Sequence, residues 1–207
     1  MKHVTVIAHP LVQHNLARLR DARTEPPEFR RLMSEVAALM TYEATRTLAV
    51  KKISVRTPLE KTGGTQRQKE IVLVPILRAG LGMLDGVLEM IPHARVGFIG
   101  LKRDEATLSA HCYYESFPKK LGAAEVILID PMLATGGSTV AAIELLQSRG
   151  AKNIRLLCLV AAPEGIAHVR KKFKTLPIFT AAIDRQLNKV GYILPGLGDA
   201  GDRLFGT

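Results

Sequence analysis

Apolar runs recur along the chain, separated by segments of helical period. Residues 71–77 (IVLVPIL), 126–129 (VILI), 154–161 (IRLLCLVA) and 178–183 (IFTAAI) are nearly continuous hydrophobic stretches rich in β-branched side chains. Such runs predict strands buried on both faces of a parallel sheet. Shorter runs at 4–8 and 96–101 (VGFIGL) predict two more strands. Between them the pattern changes to a helical one. Leu11, Val12, Asn15, Leu16 and Leu19 share a face after Pro10, and Phe29, Leu32, Val36, Leu39, Met40 and Leu48 mark a longer helix over 28–48. The break between the two is Thr24-Glu25-Pro26-Pro27. Further helices are expected at MLDGVLEMI, at AAIELLQSRG ending on Gly150, and over 164–173 with the basic end Arg170-Lys171-Lys172. Residues 53–66 read as a polar-tipped β-hairpin or arm. Strands alternating with helices predict a parallel sheet flanked by helices, with right-handed crossovers, in one α/β domain over 1–207.

The most informative stretch is VILIDPMLATGGSTV, 126–140. A buried strand ends on Asp130, Pro131 to Gly137 form a turn, and Ser138 and Thr139 open a helix. Glycines at 136 and 137 let the backbone approach a ligand closely. The first N–H groups of a helix lack partners, and the hydroxyls of Thr135, Ser138 and Thr139 lie beside them. At roughly 1.5–3 kcal/mol for each charge-assisted bond, three or four such donors hold a phosphomonoester. Asp130 cannot bind phosphate, and at a strand tip it is placed to accept from sugar hydroxyls. No lysine follows Gly136-Gly137, so the loop is not a nucleotide P-loop.

A second strand tip repeats the design. The run 71–77 leads straight into Arg78-Ala79-Gly80-Leu81-Gly82 and then a helix. Small residues after Arg78 clear room around a charged group. Residues 102–115 (KRDEATLSAHCYYE) are polar, lack helical period, and read as a lid rooted on Lys102 and Arg103. The tail, 192–203, contains a formal G-x-G-x-x-G at Gly196, Gly198 and Gly201. With no strand immediately before it and too few residues after it, it fails as a dinucleotide fingerprint. As a glycine-rich loop that opens no helix, it is expected to present bare backbone N–H and C=O groups. Those suit the edge of a pyrimidine.

The central loop resembles the phosphoribosyl-diphosphate (PRPP) motif of the type I phosphoribosyltransferases: an apolar strand, one or two acids, three residues, then T-G-small-S/T. Most of that superfamily has a second acid where this chain has Pro131. The form DPMLATGGS, the segment ILRAGLGM and the tail YILPGLGDAGDR are similar to the uracil phosphoribosyltransferase branch. The resemblance implies the type I phosphoribosyltransferase fold, with a β-hairpin arm or lid and a C-terminal hood. It implies a pentosyltransferase of pyrimidine salvage that converts uracil and PRPP to UMP and pyrophosphate with inversion at C1. Arg78, Arg103 and Asp130 would be catalytic. PRPP would contact Arg78, Arg103, Asp130, Pro131, Met132, Leu133, Ala134, Thr135, Gly136, Gly137, Ser138 and Asp199, and uracil would contact Ile193, Gly198, Asp199 and Ala200. Magnesium (Mg2+) would arrive with PRPP, with no protein metal cage. A homo-oligomer, dimer or higher, is implied, and in some members GTP activates; no motif for a GTP site is visible in this chain.

Composition narrows the picture. The chain is 47% hydrophobic and 23% charged, as in a globular domain. No apolar run approaches about 18 residues, so no membrane partner is expected, and the start is too short in apolar residues for a secretory signal. Cys112 and Cys158 match no metal spacing and suggest reduced thiols in a cytoplasmic protein. His3, His9 and His14 form an incomplete metal set, and neighbours His111 and Cys112 would point to opposite faces of a strand. The net charge of +10 suits either nucleic acid or an anionic substrate. Its spread along the chain favours a cleft, so no nucleic acid is expected. An RNA-binding regulator on the same fold, separable by salt-titrated RNA binding, is the alternative; it would not need the arginine loop, lid and hood together. A paralogue using another base would differ in the hood.

Overall fold

In a computed structural model, residues 3–103 and 110–207 are described, with Arg103 and Ala110 described through their backbone alone. In chain order the elements are β1 (Val4–Val6), α1 (Pro10–Arg20), α2 (Pro26–Ala44), β2 (Val50–Arg56), β3 (Lys61–Arg67), β4 (Ile71–Leu77) and α3 (Leu81–Met90). Then come β5 (Arg95–Val96), β6 (Phe98–Arg103), β7 (Ala110–Ser116), β8 (Glu125–Ile129), β9 (Met132–Leu133) and α4 (Gly137–Ser148). The chain closes with β10 (Asn153–Ala161), α5 (Pro163–Lys172), β11 (Ile178–Ile183), β12 (Gln186–Leu187), β13 (Ile193–Leu194) and α6 (Ala200–Phe205).

The main sheet runs β1-β11-β10-β8-β4-β6-β7. All neighbours pair in parallel except β6 and β7, which are antiparallel. The period of two along the buried strands sorts side chains between two cores. Ile71, Leu73, Ile127, Ile129, Leu157 and Leu159 face α1, α2 and α3. Val72, Val74, Val126, Leu128, Leu156 and Cys158 face α4 and α5. The N-terminal helices therefore cover one face of the sheet. From β4 the chain crosses to β6 on one side, while β8 lies on the other side of β4 and leads on to β10. The connections after β4 and β8 diverge, which opens a crevice at the carboxyl ends of these neighbouring strands.

Several boundaries depart from the pattern. The longer helix starts at Pro26, two residues before the expected start, because proline is pre-organised for the first turn; it ends at Ala44, short of Leu48. The expected lid over 102–115 is in part a regular hairpin. Strand β7 pairs with β6 out to Arg103↔Ala110, so this sheet edge is antiparallel, and residues 104–109 of the expected lid lie outside the described residues. The expected arm is the β2–β3 ribbon, paired from Val50↔Arg67 to Arg56↔Lys61.

At the amino edge, Arg155 is 8% exposed and donates to Glu125 Oε2 at 3.0 Å and to the Ala44 carbonyl, so it ties the end of α2 to the sheet. Helices α2 and α3 approach so closely that a Cβ on Gly86 would sit 1.9 Å from the Ser34 carbonyl oxygen. Gly86→Ala gains up to about 1 kcal/mol of helix propensity but forces the helices apart, an overpacking cost of about 1–3 kcal/mol. The expected outcome is a lower urea midpoint. A raised midpoint would show that the helices separate freely.

Candidate active site

Two pockets open side by side at the carboxyl edge of β4 and β8. The first, about 220 Å³, is lined by Arg78 and Ala79 after β4, Leu101 of β6, and Asp130, Thr135, Gly136, Ser138 and Thr139. The second, about 360 Å³, lies under the tail and is lined by Val190 to Ile193 and Gly198 to Gly201. Ala79, Asp130, Met132 and Ala134 line both. Asp130 thus stands at the seam of the two.

The phosphate-type loop departs from a simple turn. Beyond Asp130 the chain runs two residues further as strand β9, parallel to β10 (Met132↔Val160, Leu133↔Ala161). This buries Leu133 and aims the Pro131 carbonyl at the Leu159 and Val160 N–H groups. Of the expected contact residues, Met132, Ala134, Thr135, Gly136 and Ser138 line the first pocket, while Pro131, Leu133 and Gly137 do not. Gly136 precedes α4 at φ +81°. The loop rests on α5: His168 Nδ1 is 2.8 Å from the Thr135 carbonyl oxygen. Thr135 Oγ1 accepts from the Gly137 N–H at 3.5 Å.

Asp130 is half-buried between the pockets. Loss of solvent pushes its carboxyl up to about 7, offset in part by the Met132 N–H. Arg78 is more than half exposed, with its guanidinium 3.8 Å from Asp202 and 5.6 Å from the Phe205 ring centre. It therefore reaches from the β4 tip across to α6. Register Leu77↔Gly100 places Arg103 three residues farther along the neighbouring strand, at the same edge.

The tail differs from the expectation of a loop that opens no helix. A two-residue strand, β13, precedes it and pairs with β12, and Asp199 caps a short helix, α6. Asp199 Oδ1 accepts from the Asp202 N–H at 3.0 Å, and Gly206 ends the helix at φ +72°. Ile193, Gly198, Asp199 and Ala200 all line the second pocket; Asp199 does not line the first. Val190, Gly191 and Tyr192 also line it with no contact expected of them from the sequence, as do Ala79 and Gly201 from the two glycine-containing loops. The signal for the first group was Asn188 ahead of Gly191. Asn188 Oδ1 accepts from the Val190 and Tyr192 N–H groups, an Asx turn that lifts both side chains to the mouth of the pocket.

Among the described residues no cluster of three His, Cys, Asp or Glu side chains is placed to hold a metal ion, and no helix is long and apolar enough to cross a membrane. His9 is the N-cap of α1. Cys158 is fully buried, and loss of solvent pushes its thiol up to about 12, which makes it inert packing.

Residues 6–207 match the family model described as uracil phosphoribosyltransferase. A curated uracil phosphoribosyltransferase of Paracoccus denitrificans is 54% identical over 206 residues, covering 99% of this chain and 98% of the relative. A solved structure, the AQ2163 protein of Aquifex aeolicus, superposes with a TM-score of 0.92 at 38% identity, covering 99% of this chain and 98% of that one. The adenine phosphoribosyl transferase of Trypanosoma brucei, at 12% identity and a TM-score of 0.58 over 92% of this chain and 87% of its own, shares the fold.

Proposed function

The chain belongs to the uracil phosphoribosyltransferase family, whose members join uracil to PRPP and release UMP and pyrophosphate, and we propose how its residues divide that work. The observation that carries the division is the pair of pockets meeting at Asp130. One has a strand-tip loop and helix start suited to phosphate; the other has a tail of main-chain groups suited to a flat base. A phosphoribosyl group whose C1 must meet a base has to span such a seam.

In this reading the 5′-phosphate sits against the Thr135–Ser138 loop, and Asp130 accepts from the ribose hydroxyls. As the bond at C1 breaks, the ribose becomes oxocarbenium-like and the diphosphate gains negative charge. Arg78 and Arg103, at the tips of adjacent strands, supply positive charge on that side, where charge develops. Uracil lies in the second pocket against Ile193, Gly198 and Ala200. Its N3–H needs an acceptor and its carbonyls need donors, and buried main-chain groups make a mismatched base costly. Asp199 already holds the α6 cap, so its role at the base is to fix the loop. Magnesium bound by the substrate's own oxygens would neutralise part of the diphosphate. Mg2+ keeps several waters and needs only one or two carboxylates beside phosphates, and Asp130 and Asp199, which line the second pocket, would be the carboxylates nearest a metal delivered with PRPP. A homo-oligomer and a GTP effector belong to this reading through the family alone.

The test is to offer the purified protein PRPP, magnesium and each of uracil, cytosine, adenine, guanine and hypoxanthine, and to follow pyrophosphate release. Release with uracil alone is the expected outcome and assigns base choice to the tail. Release with none would remove this assignment of the two pockets.

A further inference from the structure

The tail loop is held by side chains that do not line either pocket. Asp184 follows β11 and is 8% exposed. Its own N–H donates to the Ala161 carbonyl at 2.8 Å, which fixes it to β10. Its carboxylate receives the Arg20 guanidinium as a two-pronged pair, both contacts at 2.7 Å. The same two side chains grip Gly196 on both sides of its backbone. Gly196 N–H donates to Asp184 Oδ2 at 2.8 Å, and its carbonyl accepts from Arg20 Nη1 at 2.7 Å. Gly196 lies at φ +62°, and a Cβ there would sit 2.2 Å from the Ile193 carbonyl oxygen. The turn between Ile193 and Gly198 is therefore closed tightly on itself and bolted to the ends of α1 and β11. Arg203 adds a second tie, donating to the Leu197 carbonyl at 2.9 Å and the Asp21 carbonyl at 2.6 Å.

We infer that Arg20 and Asp184 are positioning residues for base recognition: their ion pair holds Gly196, and through it the main-chain groups of Ile193 and Gly198, at the spacing uracil requires. The inference rests on the assignment of the second pocket to uracil. The physical logic is pre-organisation. Main-chain donors and acceptors discriminate between bases only if the loop cannot shift to suit another edge, and a planar guanidinium fork on a buried carboxylate fixes both direction and distance. A lysine in place of Arg20 keeps the charge but cannot make both prongs.

The experiment uses the full chain and steady-state kinetics, with uracil and PRPP varied separately, for Asp184→Asn, Arg20→Lys and Gly198→Ala. Asp184→Asn is expected to raise KM for uracil by about tenfold or more, with KM for PRPP within about twofold, and to lower the preference for uracil over cytosine. Arg20→Lys should move the same parameters in the same direction by less. A general loss of structure would move both KM values together, and that result, or an unchanged uracil KM, overturns the clamp. Should Asp184→Asn fail to fold by circular dichroism, Arg20→Lys decides on the same split, since Arg20 is partly exposed and its charge is kept. Gly198→Ala separates the two levels. If it raises the uracil KM while the clamp variants do not, the clamp is wrong and the pocket assignment stands. If none of the three moves it, the pocket assignment falls and the clamp with it.

Discussion

Gly136→Ala is expected to lower kcat/KM for PRPP by about a hundredfold, while Gly137→Ala costs less than about fivefold. The two glycines are adjacent and equal in the sequence, but the structure separates them. Gly136 sits at φ +81°, where an L side chain is strained by roughly 1–2 kcal/mol, and its Cβ would lie 2.8 Å from the Gly165 carbonyl oxygen. That oxygen belongs to α5, on which the loop is already held by the contact between His168 and the Thr135 carbonyl. The backbone cannot back away, so the displacement passes into Thr135 and Ser138, which line the phosphate-type pocket. A Cβ on Gly137 meets only Thr135 Oγ1, at 3.8 Å, and Gly137 is an ordinary first residue of α4. Steady-state kinetics with PRPP varied at saturating uracil measures both. Equal losses would mean that the open space near phosphate, and not packing on α5, sets the requirement.

The same contrast shows what a sequence can and cannot carry. Strands β4 and β11 appear in the chain with the bounds they have in the structure, because each is a nearly continuous hydrophobic run, broken in β11 only by Thr180, and ended by a charge. The β2–β3 arm was legible from its polar tip between two extended runs. What escaped was short or non-local. Helix α6 has six residues, fewer than two full turns, so no period could reveal it. Its signals were the ends: Asp199 three residues before Asp202, and Gly206 at the exit. Strand β9 is two residues long and exists because β10 is there to receive it. That Asp130 and Arg78 line the candidate pocket was legible because a charge at a buried strand tip has few other reasons to be there. Tyr192 and Val190 were not, since an aromatic or aliphatic side chain in a loop carries no chemistry until the fold puts it at a mouth. Arg20 and Asp184, 164 positions apart, could be paired only in space.

Asp130→Asn is expected to lower kcat/KM for PRPP by more than about a hundredfold at pH 8, and by about ten times less than that at pH 6. The magnitude follows from two charge-assisted bonds to ribose hydroxyls, at roughly 1.5–3 kcal/mol each, becoming ordinary ones. The pH dependence follows from burial, which raises this carboxyl from 3.8 to about 7 in the free protein. Above pH 7 it is ionised and ready to accept; at pH 6 only about a tenth of the molecules carry the charge, so the wild-type rate has already fallen and the variant has less to lose. PRPP phosphates titrate in the same region, but they do so for both proteins and cancel in the ratio. Stability must move the opposite way. Between about pH 4 and pH 7 the folded carboxyl keeps a proton that the unfolded one releases, so the folded state loses up to about 1.4 kcal/mol per pH unit as pH rises, and the loss ends above pH 7. Urea unfolding of wild type and Asp130→Asn across that range should show this slope in the difference between the two, since the carboxyls of Asp21, Glu28 and Glu43 titrate in both. A flat rate ratio together with a flat stability difference would mean that Asp130 is ionised throughout. Its hydrogen bonds to the ribose hydroxyls would then be equally strong at pH 6 and pH 8.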